Sequence, residues 1–285
     1  ITEGFVEKFG KERVRNTPII ESGIIGASLG LTLEGFKPII EMQFADFISC
    51  GVNQVINNLA KTHYRWGHPV NVTIRMPSGG GVGAGPFHSQ NLESLFMHIP
   101  GLKIIYPSSP YDAKGLLASA INDPNPILFF EHKLLYRTQK QDVPKQLYSL
   151  EIGKASILRE GCDITIITYG LSTIWMKEIL DDLTIKKIEI ELIDLKTLMP
   201  WDKNLVYESI KKTNRALVIH EANEIGGVGA EISASISTDL FEFLDAPVER
   251  LGSIHTPTPF NQDLEQEIFW PKNKILKTIQ EIINY

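Results

Sequence analysis

Short apolar runs alternate along this chain with segments of helical periodicity, and this alternation constrains the fold more than any other feature of the sequence. Apolar runs of strand length occur at 38–42, 70–74, 103–106, 127–130, 164–168, 188–193, 216–219 and 248–251. The segments between them have the spacing of amphipathic helices, which is typical of an α/β fold built on mostly parallel sheets. The run at 127–130 is apolar at every position, which predicts a strand buried on both faces.

Several of the intervening helices have clear sequence signals. Ser109 and Asp112 form a capping box with Pro110 at the first helical position, which predicts that a helix begins there. Apolar residues that recur every three or four positions predict a helix after residue 51 and another at the C-terminal end. The two stripes consist of Val52, Val55, Ile56, Leu59 and His63, and of Ile275, Leu276, Ile279, Ile282 and Ile283.

The length of 285 residues favours two domains. Between about 133 and 150 the apolar periodicity fades and polar residues dominate, as expected for a linker. We therefore predict a first domain at 1–135, a linker at 136–150 and a second domain at 151–285, with one parallel sheet in each domain.

Composition argues against several classes of function. The net charge is −6 and the sequence contains no run of Lys or Arg, which argues against binding to nucleic acid or to an anionic membrane surface. No apolar run approaches the ~20 residues needed to cross a bilayer. Cys50 and Cys162 are far apart, without a CxxC motif or a His/Cys cluster. We therefore expect a reduced, cytoplasmic protein without a structural zinc site.

A carboxylate lies between an apolar run and a glycine-spaced helix start, in the segment 17–27 (Thr-Pro-Ile-Ile-Glu-Ser-Gly-Ile-Ile-Gly-Ala). Few water molecules are expected to reach this residue, Glu21. A simpler interpretation is that Glu21 is a carboxylate near a helix N-terminus, where the macrodipole favours negative charge.

A glycine-rich segment, residues 79–85, follows the second predicted strand and precedes His88; we call it the glycine loop. It lacks GxxxxGK[ST], so it is not a P-loop. It matches the degenerate GxGxxA pattern, but no acidic residue lies ~20 positions onward, which makes dinucleotide binding a weak interpretation. We expect a mobile loop that delivers His88, although a histidine in this position can also help to cap a helix. A buried carboxylate and a loop-borne histidine are suited to proton transfer.

Segment 17–27 and segment 75–90 (Arg-Met-Pro-Ser-Gly-Gly-Gly-Val-Gly-Ala-Gly-Pro-Phe-His-Ser-Gln) together resemble the β subunit of the thiamine-diphosphate-dependent decarboxylase component of 2-oxo acid dehydrogenase complexes. The resemblance extends over nearly the whole chain. It implies a pyrimidine-binding domain followed by a transketolase C-terminal-like domain. Members of this family have one more strand–helix unit before the position of Ile1, so the first domain is expected to be N-terminally incomplete here.

The resemblance also implies roles for individual residues. Glu21 matches the catalytic glutamate that hydrogen-bonds the pyrimidine ring nitrogen and promotes proton loss from the thiazolium carbon. Phe47 matches an aromatic residue that stacks on the aminopyrimidine, and Phe44 is a second candidate; without the resemblance, both would be interpreted as core residues. His88 matches an active-site histidine near the reacting carbons and the incoming lipoyl group, where it stabilises developing charge or relays a proton.

Residues 120–125 (Ala-Ile-Asn-Asp-Pro-Asn) resemble a turn that holds a potassium ion in some relatives. The resemblance implies that the ligands would be the carbonyl groups of Val72, Ala120, Ile121 and Asp123, together with Asn125. The alternative is an ordinary Asn-Asp-Pro turn without an ion.

Family members bind the Mg²⁺-diphosphate half of the cofactor through Gly-Asp-Gly followed by Asn, and Gly-Asp-Gly does not occur in this sequence. The chain is therefore expected to supply only the pyrimidine half of the site, while an α subunit or a fused α region supplies the rest. The resemblance further implies β–β self-association through the glycine-spaced helix at 23–30 and a lipoyl-bearing acyltransferase core as partner. Segment 221–230 resembles the transketolase C-terminal domain, where glycines permit close packing without cofactor contact.

The expected reaction is oxidative decarboxylation of a 2-oxo acid with reductive acylation of a lipoyl group. Segments 75–81 and 133–137 look closer to bacterial branched-chain or fused forms than to animal pyruvate forms, so a branched-chain substrate is favoured over pyruvate. A fragment of transketolase or deoxyxylulose-phosphate synthase is a first alternative, but basic residues for a sugar phosphate are absent beside His88. A non-catalytic nucleotide-binding or scaffolding module is the second, which cofactor titration would distinguish.

Overall fold

The computed structural model describes residues 2–180, 187–269 and 272–285, and it contains two five-stranded sheets. The strands are β1 (Ile39–Glu41), β2 (Thr73–Ser78), β3 (Lys103–Ile105), β4 (Ile127–His132), β5 (Ser156–Arg159), β6 (Ile164–Thr168), β7 (Ile190–Asp194), β8 (Thr197–Met199), β9 (Ala216–Asn223) and β10 (Glu249–Ser253). The predicted α/β class with mostly parallel sheets is confirmed.

The α-helices lie before, between and after these strands. They are α1 (Phe5–Phe9), α2 (Glu21–Leu33), α3 (Ala60–Trp66), α4 (Glu93–Met97), α5 (Pro110–Asn122), α6 (Leu135–Thr138), α7 (Leu171–Leu180), α8 (Lys203–Thr213), α9 (Val228–Asp239), α10 (Gln262–Phe269) and α11 (Lys272–Ile283). A 3₁₀ helix at Ala45–Gly51 and a π-helical turn at Gln54–Leu59 precede α3, and a short 3₁₀ helix lies at Phe241–Phe243. Among the described residues, no helix is both long and apolar enough to span a membrane.

The first sheet has the strand order β1-β2-β4-β3-β8. Its first four strands are parallel to their neighbours, whereas β8 joins the edge antiparallel to β3. All six residues of β4 are buried, as the uniformly apolar run predicted. β2 begins at Thr73, later than predicted, and continues to Ser78, so that it leads directly into the glycine loop.

The second sheet has the order β10-β9-β6-β7-β5, with β5 antiparallel at its edge. β6, β7, β9 and β10 correspond to the four predicted strands, and the last helix buries Ile275, Ile279 and Ile282 as its stripe predicted. The predicted helix start is also confirmed, because the Ser109 hydroxyl caps α5 by accepting a hydrogen bond from the Asp112 backbone N–H at 3.1 Å. β5 and β8 had not been predicted.

The segment predicted as a linker contains α6 at its start and has neither helix nor strand from residue 139 to residue 155. It packs along α5. Gly115 of α5 has no side chain, and a Cβ there would lie 2.6 Å from Leu150 Cγ, so Leu150 can approach only because this residue is glycine. The Lys114 ammonium donates to the carbonyl oxygen of Gln146 at 3.0 Å. The segment is therefore held against the first sheet's helix.

One continuous apolar core joins the two sheets, because buried residues from both halves pack together. The Tyr106 ring, just beyond β3, lies 5.4 Å from the Tyr169 ring, just beyond β6, and 5.7 Å from Phe130 of β4. The carboxyl ends of β2 and β4 therefore face elements of the second half. In open α/β sheets, ligands bind beyond the carboxyl ends of the strands, so this is where a functional site is expected.

Candidate active site

Three of the residues proposed from the sequence form one aromatic cluster. The Phe44 ring lies 4.8 Å from the His88 ring, and the Phe47 ring lies 5.6 Å from it, both in edge-to-face arrangements. Phe44 and Phe47 are 6.0 Å apart because the 3₁₀ helix at Ala45–Gly51 places them on one side. All three rings are partly exposed, so neither phenylalanine is a simple core residue. The cluster offers an aromatic face beside an imidazole.

Glu21 begins α2 and lies next to the end of the same 3₁₀ helix. A Cβ on Gly51 would lie 3.5 Å from the Glu21 carbonyl carbon and 2.4 Å from Ile25 Cδ1, so the first turn of α2 packs closely against Gly51. Among the described residues, the Glu21 carboxylate makes no hydrogen bond or ion pair. Its acceptor oxygens are therefore free to bond a ring nitrogen of a ligand, and the site fits the aminopyrimidine half of thiamine diphosphate.

The expected dry surroundings of Glu21 are not built by this chain alone. Glu21 is only half-buried, and its apolar neighbours Ile19 and Ile20 are 91% and 54% exposed. The prediction of a buried carboxylate is therefore not met in the single chain, because the apolar run before α2 points to solvent instead of packing over the carboxylate.

Lys133 was missed by the sequence analysis although it lies beside this cluster. Its ammonium donates to the carbonyl oxygens of Gly79 and His88, the latter at 2.6 Å, and lies 5.5 Å from the Phe44 ring centre. Burial lowers the pKa of Lys133, while the carboxylates of Asp46, Glu221 and Glu265 oppose that shift. A cleft of about 330 Å³ opens beside Phe44 and Lys133 and is also lined by Tyr136 and Arg137.

The glycine loop is tied down along its length rather than free. The Gly80 N–H donates to Glu221 at 2.7 Å, and the N–H groups of Gly81 and Gly83 each donate to Glu265 at 2.9 Å. After the loop, Gln90 donates to the Asp46 carboxylate from both its backbone and its side chain. Composition alone predicted a mobile loop, and the structure departs from that prediction because carboxylates of the second half satisfy the loop amides.

Glu221 belongs to a buried polar group that the sequence analysis did not find. Its carboxylate is paired with the imidazole Nε2 of His132 and accepts from the Asn91 amide at 3.2 Å. The Leu134 N–H donates to Nδ1 of His132, so the ring hydrogen is on Nε2. Burial alone would raise the pKa of Glu221, but His132 and the donors from Gly80 and Asn91 outweigh it and hold this pKa below its ordinary value.

Glu93 is a second buried carboxyl group in the same region, and it accepts a hydrogen bond from the Tyr169 hydroxyl at 2.8 Å. Burial, opposed by this hydrogen bond, raises the pKa of Glu93 to about 7. His132 and Glu221 fall within β4 and β9, two otherwise largely apolar strands. A polar side chain within an apolar run was the only sequence signal that could have pointed to them.

The residues implied as potassium ligands lie at the end of α5 and next to the starts of β2 and β4. Asp123 accepts at its carbonyl from the Asn71 amide at 2.6 Å, and the Val72 carbonyl accepts from the Ile127 N–H at 2.8 Å. The Asn125 side-chain oxygen is 2.8 Å from Nδ1 of His63. Each carbonyl oxygen keeps a second lone pair, so these contacts are compatible with a cation. The described residues contain no cluster of three or more His, Cys, Asp or Glu side chains suited to a metal.

Comparison with known proteins gives a consistent assignment for both halves. Residues 1–139 match the transketolase pyrimidine-binding domain and residues 153–275 match the transketolase C-terminal domain. Over its whole length the chain is 46% identical to the mitochondrial 2-oxoisovalerate dehydrogenase subunit beta 2 of Arabidopsis thaliana, covering 80% of that protein. It is 42% identical to the 2-oxoisovalerate dehydrogenase subunit beta of Bacillus subtilis (strain 168), and 41% identical to the pyruvate dehydrogenase E1 component subunit beta of the same strain, covering 88% of each.

The chain belongs to the family of 2-oxo acid dehydrogenase β subunits. The resemblance found in the sequence is thereby confirmed. A solved split-gene transketolase, an inactive β4 tetramer, superposes with a TM-score of 0.79 over 99% of this chain and 88% of that chain, at 20% identity. That likeness shows a common fold.

The raised pKa of Glu93 predicts a specific pH dependence of stability. Between about pH 5 and about pH 7 the folded chain keeps a proton on Glu93 that the unfolded chain has lost, so the wild-type free energy of unfolding falls as pH rises. Glu93→Gln cannot ionise and keeps an acceptor for Tyr169. Relative to wild type, it should gain stability across this window, by about 2–3 kcal/mol, and gain no more above it.

Urea unfolding of both chains at several pH values measures this difference. Glu178→Gln, at an exposed position of α7, is the matched control and should show no such trend. A difference between Glu93→Gln and wild type that does not change with pH would contradict the assignment of a protonated buried carboxyl group.

Proposed function

We propose that this chain is the β subunit of a 2-oxo acid dehydrogenase and supplies the aminopyrimidine half of a thiamine diphosphate site. The favoured substrate is a branched-chain 2-oxo acid, with pyruvate as the second candidate. The observation that carries the proposal is the cluster of Phe44, Phe47 and His88, together with the unpaired carboxylate of Glu21, whose backbone packs against the end of the same 3₁₀ helix, in a chain of this family. Two free cysteines among the described residues fit the cytoplasm as the proposed location.

When bound, thiamine diphosphate would supply a nucleophilic carbon and an electron sink for the decarboxylation of a 2-oxo acid. Glu21 would hold a proton against the pyrimidine ring nitrogen, which favours proton release from the cofactor's own amino group. Phe47, and Phe44 next to it, would offer π faces to the pyrimidine ring. His88 would move a proton at the reacting atoms when a lipoyl group accepts the acyl unit.

The proposal includes partners for surfaces that this chain leaves open. The Mg²⁺-diphosphate half is assigned to an α subunit or fused α region, because the chain has no Gly-Asp-Gly. In α2, the small residues Gly23, Ala27 and Gly30 are exposed, and Leu33 is 55% exposed. Small residues allow two helices to approach closely, so we assign this face to β–β association.

A lipoyl-bearing acyltransferase core would receive the acyl group, and potassium would bind at the 120–125 turn.

The alternative of a sugar-phosphate enzyme is less well supported by the site. Lys133 lies beside the aromatic cluster, and two of its three ammonium donors are taken by the carbonyl oxygens of Gly79 and His88. A sugar phosphate would need a cation free to bond its phosphate oxygens. We therefore keep the 2-oxo acid substrate.

Glu21→Gln is expected to leave the fold intact and to slow proton exchange at the thiazolium carbon by roughly 10²–10⁴-fold, because the amide cannot shuttle the proton. The measurement is hydrogen–deuterium exchange at that carbon in enzyme reconstituted with the α partner. Glu34→Gln, at an exposed position just after α2, is the control. Wild-type exchange in Glu21→Gln would remove Glu21 from the mechanism.

His88→Ala is expected to lower acylation of a lipoyl domain by roughly 10²-fold or more, with a smaller effect on decarboxylation and on cofactor affinity. The reason is that His88 contacts the rings of Phe44 and Phe47, whereas the diphosphate half of the site is assigned to the α partner. Decarboxylation is followed with an artificial electron acceptor, and His98→Ala at an exposed position is the control. Equal losses in cofactor affinity and in both rates would show that His88 has a different role.

A further inference from the structure

We propose that Glu265, in the second half of the chain, is a positioning residue for His88. Its carboxylate holds the glycine loop in the one conformation that places the imidazole over Phe44 and Phe47. This inference deepens the proposed function, since it rests on His88 being the active-site histidine.

The contacts of Glu265 are specific and buried. Its two carboxylate oxygens accept separately from Gly81 N–H and Gly83 N–H, both at 2.9 Å, and the residue is only 2% exposed. Glu265 lies in the first turn of α10, and the Asn261 side chain caps that turn by accepting from the N–H groups of Asp263 and Leu264. The carboxylate is therefore presented from a fixed helix start.

The glycine loop is shaped to receive an anion. Gly79, Gly81, Gly83 and Gly85 all have positive φ, between 68° and 80°, alternating with residues of ordinary conformation. Successive N–H groups in such a backbone converge and form an anion-binding concavity. Here the anion is the carboxylate of Glu265. This explains why the sequence resembles a phosphate-binding loop although the chain itself fills the concavity.

Aromatic contacts from the same segment support the loop at two further points. A Cβ on Gly80 would lie 2.4 Å from the Phe269 ring, and a Cβ on Gly85 would lie 2.3 Å from the Phe260 ring. Both rings belong to the segment 260–269 that contains Glu265. The loop therefore rests on this segment from Gly80 to Gly85, and His88 follows three residues later.

The loop is connected to His88 through its own backbone. The His88 N–H donates to the Gly85 carbonyl at 3.3 Å. The Lys133 ammonium donates to the carbonyl oxygens of both Gly79 and His88 and so bridges the two ends of this segment. If Glu265 is removed, the N–H groups of Gly81 and Gly83 lose their acceptor. Among the described residues, no other charged side chain accepts from the loop N–H groups between Gly81 and Gly85. His88 would then leave the aromatic cluster for part of the time.

The first experiment observes the position of His88 directly. In the full chain labelled with ¹³C-histidine, NMR should show the His88 signal shifted by the ring currents of Phe44 and Phe47. In Glu265→Ala this signal should move towards that of an exposed histidine, and amide exchange at Gly81 and Gly83 should become at least about 10-fold faster. An unchanged His88 signal would overturn the proposal.

The second experiment measures function in the holoenzyme reconstituted with the α partner. Glu265→Ala should lower lipoyl acylation by roughly 10–10²-fold, because a displacement of about 1 Å in a catalytic group has an effect of that size. Decarboxylation with an artificial acceptor should change less. Glu265→Gln keeps one acceptor oxygen and should be intermediate, and it also serves if the alanine variant fails to fold. Glu267→Ala, exposed on the same helix, should match wild type.

A double-mutant cycle separates positioning from general stabilisation. In the His88→Ala background, Glu265→Ala should cause no further loss of acylation, because it acts through a side chain that is already absent. A further loss as large as in wild type would overturn the proposal. If wild-type holoenzyme fails to turn over any 2-oxo acid, the proposed function fails, and the NMR signal of His88 still decides whether Glu265 positions it.

Discussion

The backbone hydrogen bonds between the glycine loop and two buried carboxylates, Glu221 and Glu265, are the interaction on which the site depends. A loop rich in glycine has few side chains to pack, so only its backbone groups can fix its conformation. Three of its N–H groups are satisfied by these two residues, and both residues are almost fully buried. Because His88 lies only three residues after the loop, the same bonds determine where the imidazole lies.

Both carboxylates come from the second half of the chain, and this gives that half a direct part in the site. The position of Glu221 is supported by close packing around the adjacent residue of β9, His220. The neighbouring His220 ring packs where Gly227 and Gly229 lack a Cβ, since a Cβ on either would lie within 2.5–2.7 Å of the ring. Burial lowers the pKa of His220 to about 4, so the ring is neutral near pH 7. The glycines of segment 221–230 therefore permit close packing, as expected, and that packing supports a residue that bonds the loop.

Much of this could be predicted from the sequence, because it depends on local patterns. The strand runs, the capped start of α5 and the stripe of α11 follow from periodicity and composition, and the short motifs around Glu21 and His88 carried the family resemblance. β8 could not be predicted, because its partner strand β3 lies in the other half. Glu265 could not either, since nothing near it in sequence marks it and its role depends on amides almost two hundred positions earlier. The exposure of Ile19 and Ile20 could not be predicted either, because the position of apolar residues in the sequence does not tell whether they pack in the core or lie on the surface.

The central claim is that this chain holds half of a cofactor site. Glu21 and the aromatic cluster could together contribute only a few kcal/mol, about a millimolar affinity or weaker. With a net charge of −6 and no Gly-Asp-Gly, the chain offers no evident counter-charge for a diphosphate. Calorimetric titration of the purified chain with Mg²⁺ and thiamine diphosphate, alone and with the α partner, tests this directly. We predict no binding at micromolar cofactor for the chain alone and clear binding with the partner, and micromolar binding by the chain alone would contradict the claim.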